Sequence, residues 1–257
     1  MPHDATFRLL IVSDIHYGPM ELAGLDFLPK RRCAMGAELI QRAVRAAGEV
    51  DAVAVGGDLL EDGTLSGSRE LLAELRDVLA TAGAPLLVIP GNHDGDYETV
   101  HEMFSCRPGL HTLTGRGGEA YRFFLIADRY ASDNVCTRDP ADQAALEAVA
   151  TEDGAPPLVV IQHSPMNPYI ESEYPFMLTN RDAVMRDYAA WGVWLSLSGH
   201  YHPGQPLNVA DGVRYFTSPC LAEWPFRCTL LTFRGRGIDV QPLPLARPDE
   251  PRPPEPT

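Results

Sequence analysis

One segment predicts both a strand and the polar groups that follow it: Leu86-Leu87-Val88-Ile89-Pro90-Gly91-Asn92-His93-Asp94. Its four apolar residues predict a short buried strand, and Pro90-Gly91 marks the point where that strand ends. An amide, an imidazole and a carboxylate then follow in three consecutive residues. Open α/β sheets bind ligands at the carboxyl ends of their strands, so the stretch predicts a functional sheet edge.

Four other apolar runs end in the same way. Strands are predicted at residues 7–12, 52–55, 158–161 and 193–197. The polar groups after these strands are Asp14 with His16, Asp58, His163, and His200 with His202. A single Asp-x-His at a strand end is usually an ordinary turn. Polar groups after five strands indicate one shared site.

Helical periodicity separates the first three strands. We predict one helix from Pro29 to Ala47 and a second that Ser68 caps. The resulting β-α-β-α-β order implies a parallel sheet with right-handed crossovers. The second half is richer in strands, and Thr179 to Asp182 resembles a capping box that opens a further helix. We expect one domain over residues 1–245 and a disordered tail over 246–257, which holds five prolines.

Composition and charge limit the classes of function. The chain has 257 residues, a formal net charge of −14 and five dispersed cysteines. The charge disfavours binding to a nucleic-acid polymer, which is itself an anion. We find neither a signal peptide nor an apolar run long enough to cross a membrane. We therefore expect a cytoplasmic protein with reduced thiols and no membrane partner.

The polar groups at the strand ends suit metal ions. Carboxylate, imidazole and amide oxygen together bind divalent first-row metals, whereas the lack of thiolates argues against a structural zinc site. Seven such groups are too many for one four-coordinate ion and suit two ions that share a carboxylate. Asp58 is the expected bridge, because its strand should lie between the strands that carry the flanking groups.

The ordered pattern D-x-H, G-D, G-N-H-D, H and G-H-x-H, from Asp14 to His202, resembles the calcineurin-like metallophosphoesterase superfamily. The resemblance implies an α/β fold, a four-layer αββα sandwich of two mixed β-sheets flanked by helices. It also implies two divalent transition metal ions, Mn, Fe or Zn. One ion would be held by Asp14, His16, Asp58 and His202. The other would be held by Asp58, Asn92, His163 and His200.

The same resemblance gives His93 and Asp94 catalytic roles. His93 would lie near the scissile phosphate without binding a metal, and Asp94 would orient it. Two metals lower the pKa of a bridging water, so hydroxide is available for in-line attack. His93 is our candidate for assisting the leaving group.

The identity of the phosphoester is open at this point. The start of the chain and its size look most like the small bacterial phosphodiesterases of the cyclic-nucleotide type, although residues 132–139 lack their usual glycine-rich turn. We expect a phosphodiesterase acting on a small phosphorylated substrate, such as a cyclic nucleotide or a glycerophosphodiester. A phosphomonoesterase and a catalytically inert metal-binding scaffold are the alternatives. Oligomeric state is not predicted.

Two further features have competing interpretations. The basic run Lys30-Arg31-Arg32 is either a solvated first helical turn, which we favour, or a contact to the phosphate. Tyr169, Tyr174 and Phe176 either form a lid over the metals or pack a long loop, within residues 165–178.

Overall fold

In the computed structural model, residues 6–19, 31–166, 170 and 173–250 are described, and they form two β-sheets and five α-helices. The strands are β1 (Phe7–Val12), β2 (Ala52–Gly56), β3 (Leu86–Ile89), β4 (Gly109–Thr114), β5 (Ala120–Leu125), β6 (Leu158–Ile161), β7 (Leu195–Ser198), β8 (Gln205–Ala210), β9 (Val213–Thr217), β10 (Arg227–Arg234) and β11 (Gly237–Pro244). The helices are α1 (Gly36–Ala47), α2 (Ser68–Ala80), α3 (Tyr97–Phe104), α4 (Pro140–Ala150) and α5 (Arg181–Trp191).

Both sheets are mixed. The first has the order β11-β10-β1-β2-β3, in which β1, β2 and β3 are parallel and β10 is antiparallel to β1. The second has the order β4-β5-β6-β7-β9-β8, with four parallel central strands and an antiparallel strand at each edge. As the sequence predicts, β2 lies between β1 and β3.

The sheets share one apolar core and are covered by helices outside. Residues from both sheets belong to the main cluster, including Leu10 of β1 and Phe123 of β5. A second cluster joins Val160 of β6 to Leu146 of α4 and Val184 of α5. Helices α1 and α2 pack against the first sheet and against each other. The predicted four-layer αββα sandwich of two mixed sheets is confirmed.

Some predicted helix starts were wrong. Helix α1 begins at Gly36 after a 3₁₀ turn, and Pro29 lies outside the described residues. Ser68 is the first residue of α2 rather than its cap, because Gly67 precedes it with left-handed backbone. Asn180 precedes α5 without a capping bond, because its side-chain oxygen accepts the amide N–H of Arg138 instead.

Part of the predicted tail packs against helix α1. Arg42 of α1 donates to the Glu250 carboxylate at 2.9 Å and to the carbonyl of Leu245 at 3.1 Å. Residues 246–250 therefore lie against α1, and residues 251–257 lie outside the described residues. None of the helices in the described part of the chain is long and apolar enough to cross a bilayer.

Candidate metal centre

The seven predicted ligands come from both sheets and meet at one edge. Asp14, Asp58 and Asn92 follow β1, β2 and β3 of the first sheet, whereas His163, His200 and His202 follow β6 and β7 of the second. His16 lies two residues beyond Asp14. Parallel strands put their carboxyl ends on the same side, and the packing of the two sheets brings these two edges together.

Asp58 lies at the centre of the cluster. Its Oδ2 is 3.2 Å from His163 Nε2 and 3.7 Å from His16 Nε2. On one side, His16 Nε2 is 3.2 Å from His202 Nε2, which is 3.5 Å from Asp14 Oδ1. Asp58 therefore lies where the sequence places a shared carboxylate.

The other side of the cluster consists of an amide and two imidazoles. Asn92 Oδ1 is 3.2 Å from His163 Nε2, and the rings of His163 and His200 are 4.7 Å apart. Asp58, His163 and His200 each offer a ligand atom within 4.8 Å of the other two. The cluster thus has two lobes that meet at Asp58.

Four of the seven predicted ligands have left-handed backbone. Their φ angles are 54° at Asp14, 47° at His16, 51° at Asp58 and 65° at His200. Such residues cost free energy, and in proteins they gather at functional sites. Gly91 lets its backbone lie close to Asp58, because a Cβ at this position would overlap the Asp58 carboxylate. The backbone is therefore strained at the residues whose side chains meet in the cluster.

Hydrogen bonds orient three of the imidazole rings toward the centre. The Nδ1 of His163 is 2.6 Å from the carbonyl of Gly56, and that of His202 is 2.7 Å from the Glu223 carboxylate. The Nδ1 of His16 is 3.0 Å from the Glu61 carboxylate. Metal-binding histidines are commonly held through the second nitrogen in this way. In each ring, Nε2 is left to face the cluster.

This arrangement fits cations. The Nε2 atoms of His16 and His202 face each other at 3.2 Å, while their Nδ1 atoms face carboxylates. The buried Nε2 of His200 has no hydrogen-bond partner among the described residues. Inward-facing nitrogen lone pairs beside two buried carboxylates are a donor set for divalent transition metals.

The protonation states divide the four imidazoles into two pairs. Burial lowers the pKa of His16 to about 4 and that of His200 to about 3. Burial opposes ionisation of Asp58, but His163 beside it holds the carboxyl pKa well below its usual range. For Asp14, burial is likewise outweighed, here by the hydrogen bond to His202, and the pKa is lowered. Burial also opposes protonation of His163 and His202. The neighbouring Asp58 nevertheless raises the pKa of His163 to about 9. Cys220, together with the hydrogen bonds to Asp14 and Glu223, raises the pKa of His202 well above its usual value. Two imidazoles are therefore neutral and two hold a proton, which a bound cation would displace.

The predicted role of Asp94 is wrong. Its two carboxylate oxygens accept the amide N–H groups of Leu60 and Gly91, each at 2.8 Å. The Nδ1 of His93 instead donates to the carbonyl of Glu61 at 2.6 Å. Asp94 therefore fixes the backbone around the site, because two buried N–H groups need an acceptor there, and His93 is oriented by the main chain.

Several residues of the site were missed or underestimated from the sequence. Arg31 is mostly buried rather than solvated, and its Nη1 donates to both oxygens of Glu61 at 3.0 Å. Asn134 accepts from the side-chain amide of Asn92. Glu61 lies three residues after Asp58, which is a usable signal. Glu223 has no such signal, because it follows His202 by 21 residues on an irregular segment.

A cavity of about 510 Å³ opens onto the cluster. Arg31, Asn134, Tyr174, Phe176 and Pro203 line it together with Asp58, Asn92, His93, His200 and His202. The rings of Tyr174 and Phe176 lie 5.8 Å and 5.3 Å from that of His200. These two aromatic residues therefore border the centre, as a lid would, whereas Tyr169 lies outside the described residues.

Comparison with known proteins gives the family. The sequence model of the calcineurin-like phosphoesterases matches residues 7–204. No curated protein is similar enough in sequence to be recognised as a relative.

Solved structures show the same fold. A dimetal phosphatase from Danio rerio is 16% identical over 95% of this chain and 100% of its own, with a TM-score of 0.69. A purple acid phosphatase from yellow lupin (Lupinus luteus) seeds is 12% identical over 94% of this chain and 52% of its own, with a TM-score of 0.63. GAP50 of Plasmodium, described as an anchor in the inner membrane complex, is 13% identical over 95% and 90%, with a TM-score of 0.62.

Proposed function

This chain belongs to the calcineurin-like phosphoesterase family, whose members are dimetal enzymes, and we propose that it hydrolyses a small phosphodiester. The observation that carries the proposal is the meeting of seven ligand-type side chains in one cluster, four of which line an open cavity. We assign Asp14, His16, Asp58 and His202 to one divalent ion, and Asp58, Asn92, His163 and His200 to the other. When bound, such ions neutralise phosphate oxygens and make hydroxide available near neutral pH. Mn, Fe and Zn all suit these ligands.

Arg31 is the only permanently charged cation among the described residues that line the cavity, and Glu61 compensates it. The lining therefore adds little net charge to that of two bound divalent ions, which would dominate the local field for a monoester and a diester alike. The net charge of −14 favours a small substrate over a nucleic-acid polymer.

His93 is placed to serve the leaving group. Its ring is half-buried at the cavity wall, edge-on to that of His16 at 4.8 Å. Because Nδ1 donates to a carbonyl, Nε2 is the nitrogen available to the substrate. A protonated Nε2 would give its proton to the departing alkoxide, which is general acid catalysis.

Tyr174, Phe176 and Pro203 provide the apolar side of the cavity. A phosphodiester carries two organic groups, and one of them must lie on the side away from the leaving group. The two aromatic rings offer a surface for it and keep water from that side of the phosphate.

A substrate comparison tests the proposal. Metal-free protein is loaded with Mn²⁺ and assayed on bis-p-nitrophenyl phosphate and p-nitrophenyl phosphate, with Asp58→Asn as the control that loses a ligand of both ions. We expect faster hydrolysis of the diester and no activity of the variant. Faster hydrolysis of the monoester would make the protein a phosphomonoesterase. Activity on neither substrate with two ions bound would make it an inert scaffold.

A further inference from the structure

Asn134 lies in a tight turn at the mouth of the cavity. The amide of Asn134 donates to the carbonyl of Ala131, and that of Ala131 donates to the carbonyl of Val135, both at 2.9 Å. The turn gives Asn134 a φ of 62°, in the left-handed region that asparagine tolerates better than most residues. Its side chain is half-buried and lines the cavity.

The side chain of Asn134 contacts a proposed metal ligand. Asn92 donates from Nδ2 to Asn134 Oδ1 at 3.3 Å, while Asn92 Oδ1 lies 3.2 Å from His163 Nε2. In an asparagine side chain the carbonyl oxygen Oδ1 can bind a cation, whereas the amide nitrogen Nδ2 cannot. Rotation about the Cβ–Cγ bond exchanges the positions of these two atoms. An acceptor beside Nδ2 thus turns the oxygen of Asn92 toward the site.

We propose that Asn134 is a positioning residue that keeps the carbonyl oxygen of Asn92 facing the second metal ion. The inference rests on the proposed function, since it assumes that Asn92 binds metal. Partners of this kind typically change metal affinity by about 10- to 100-fold when they are removed.

Asn134 also connects the centre to the aromatic side of the cavity. Besides accepting from Asn92, it lines the cavity together with Tyr174. Tyr174 in turn packs against Phe176, with ring centroids 4.4 Å apart. One side chain therefore links the amide ligand to the surface that we assign to the organic group of the substrate.

A simpler role for Asn134 predicts a different outcome. If asparagine were present only because the turn needs left-handed backbone, glycine would serve equally well or better, because it adopts that conformation without strain. If the side chain positions Asn92, glycine preserves the turn but removes the acceptor. Asn134→Asp keeps an oxygen at the same place and tolerates the same backbone.

The experiment is a calorimetric titration of Mn²⁺ into metal-free protein, with the bound metal counted after gel filtration. The variants are Asn134→Gly and Asn134→Asp. The matched control is Asp211→Gly, at an exposed left-handed position (φ 49°) in the turn between β8 and β9. We expect two ions in the wild type and Asn134→Gly to bind one of them about 10-fold or more weakly. Asn134→Asp should bind both at least as tightly as the wild type, because its carboxylate also attracts cations, and Asp211→Gly should bind as the wild type does.

The two proposals fail in different ways. Wild-type protein that binds neither Mn²⁺ nor, in a parallel titration, Zn²⁺ overturns the proposed function and this inference together. Wild-type protein that binds two ions, with equal affinities in Asn134→Gly, overturns the inference alone. Equal weakening in Asn134→Gly and Asp211→Gly also overturns it, because the loss would then follow from glycine in a turn.

Discussion

Replacing His93 with alanine should slow hydrolysis while leaving both metal ions in place. The imidazole is held by one hydrogen bond to the carbonyl of Glu61, and this carbonyl belongs to the main chain. Each lobe of the cluster already has an amide or carboxylate and two imidazoles without His93. Removing the ring therefore takes away a proton donor at the cavity wall but none of the assigned ligands.

The expected loss follows from the role of a general acid. Such a group contributes about 10²- to 10⁴-fold to a rate, which corresponds to about 3–5 kcal/mol of transition-state free energy. The loss should depend on the leaving group. An alkoxide needs the proton and should show the full effect, whereas p-nitrophenolate is stable without it and should show much less.

Turnover is measured for wild type and His93→Ala on an alkyl aryl phosphodiester series with leaving groups of increasing basicity, and metal content is measured on the same samples. His101→Ala is the control. That histidine is hydrogen-bonded to the carbonyl of Cys106 and does not line the cavity. Loss of a metal ion from His93→Ala would make His93 a ligand. A rate loss of equal size across the series would exclude proton donation.

Three further predictions concern the metal ions and the core. Removing both ions with a chelator should lower the melting temperature by about 10 °C or more, since each of the two ions at 100 times its Kd contributes about 2.7 kcal/mol. An unchanged melting curve would contradict tight binding. Gly91→Ala should abolish Mn²⁺ binding in a calorimetric titration, because its Cβ would overlap the Asp58 carboxylate; retained binding would refute that overlap. Asp128→Asn should lower the free energy of unfolding by about 3–5 kcal/mol, measured by urea denaturation, because it leaves the fully buried Arg138 without its anion. A loss below about 1 kcal/mol would show that the pair is not needed.

The strands and their polar ends could be predicted because both signals are local. An apolar run followed by Gly-Asp or Gly-Asn-His is visible in the sequence, and the parallel order of β1 to β3 follows from the helices between them. The convergence of His163 with Asp58 was expected from the family pattern. The distance between these side chains depends on how the two sheets pack, which no single segment encodes.

The surroundings of the cluster could not be predicted, for physical reasons. Glu223 reaches His202 because an irregular segment after β9 turns back over the site. The roles of Asp94 and His93 depend on which buried N–H groups lack an acceptor, and that is decided only once the backbone is folded. Arg31 was expected to be solvated because it lies in a run of basic residues. In the structure its guanidinium donates to the Glu61 carboxylate and lines the cavity.

The pairing of β10 with β1 determines when this centre can exist during synthesis. Strand β1 leaves the ribosome well before its antiparallel neighbour β10, because strands β2 to β9 lie between them in the chain. The carbonyls of Ser13 and Asp14 also accept hydrogen bonds from the amides of Leu221 and Ala222, which come late in the chain. A nascent chain that stops at residue 204 would hold every assigned ligand and still lack the segments that fix Asp14. We therefore expect metal to load only after β10 has been synthesised.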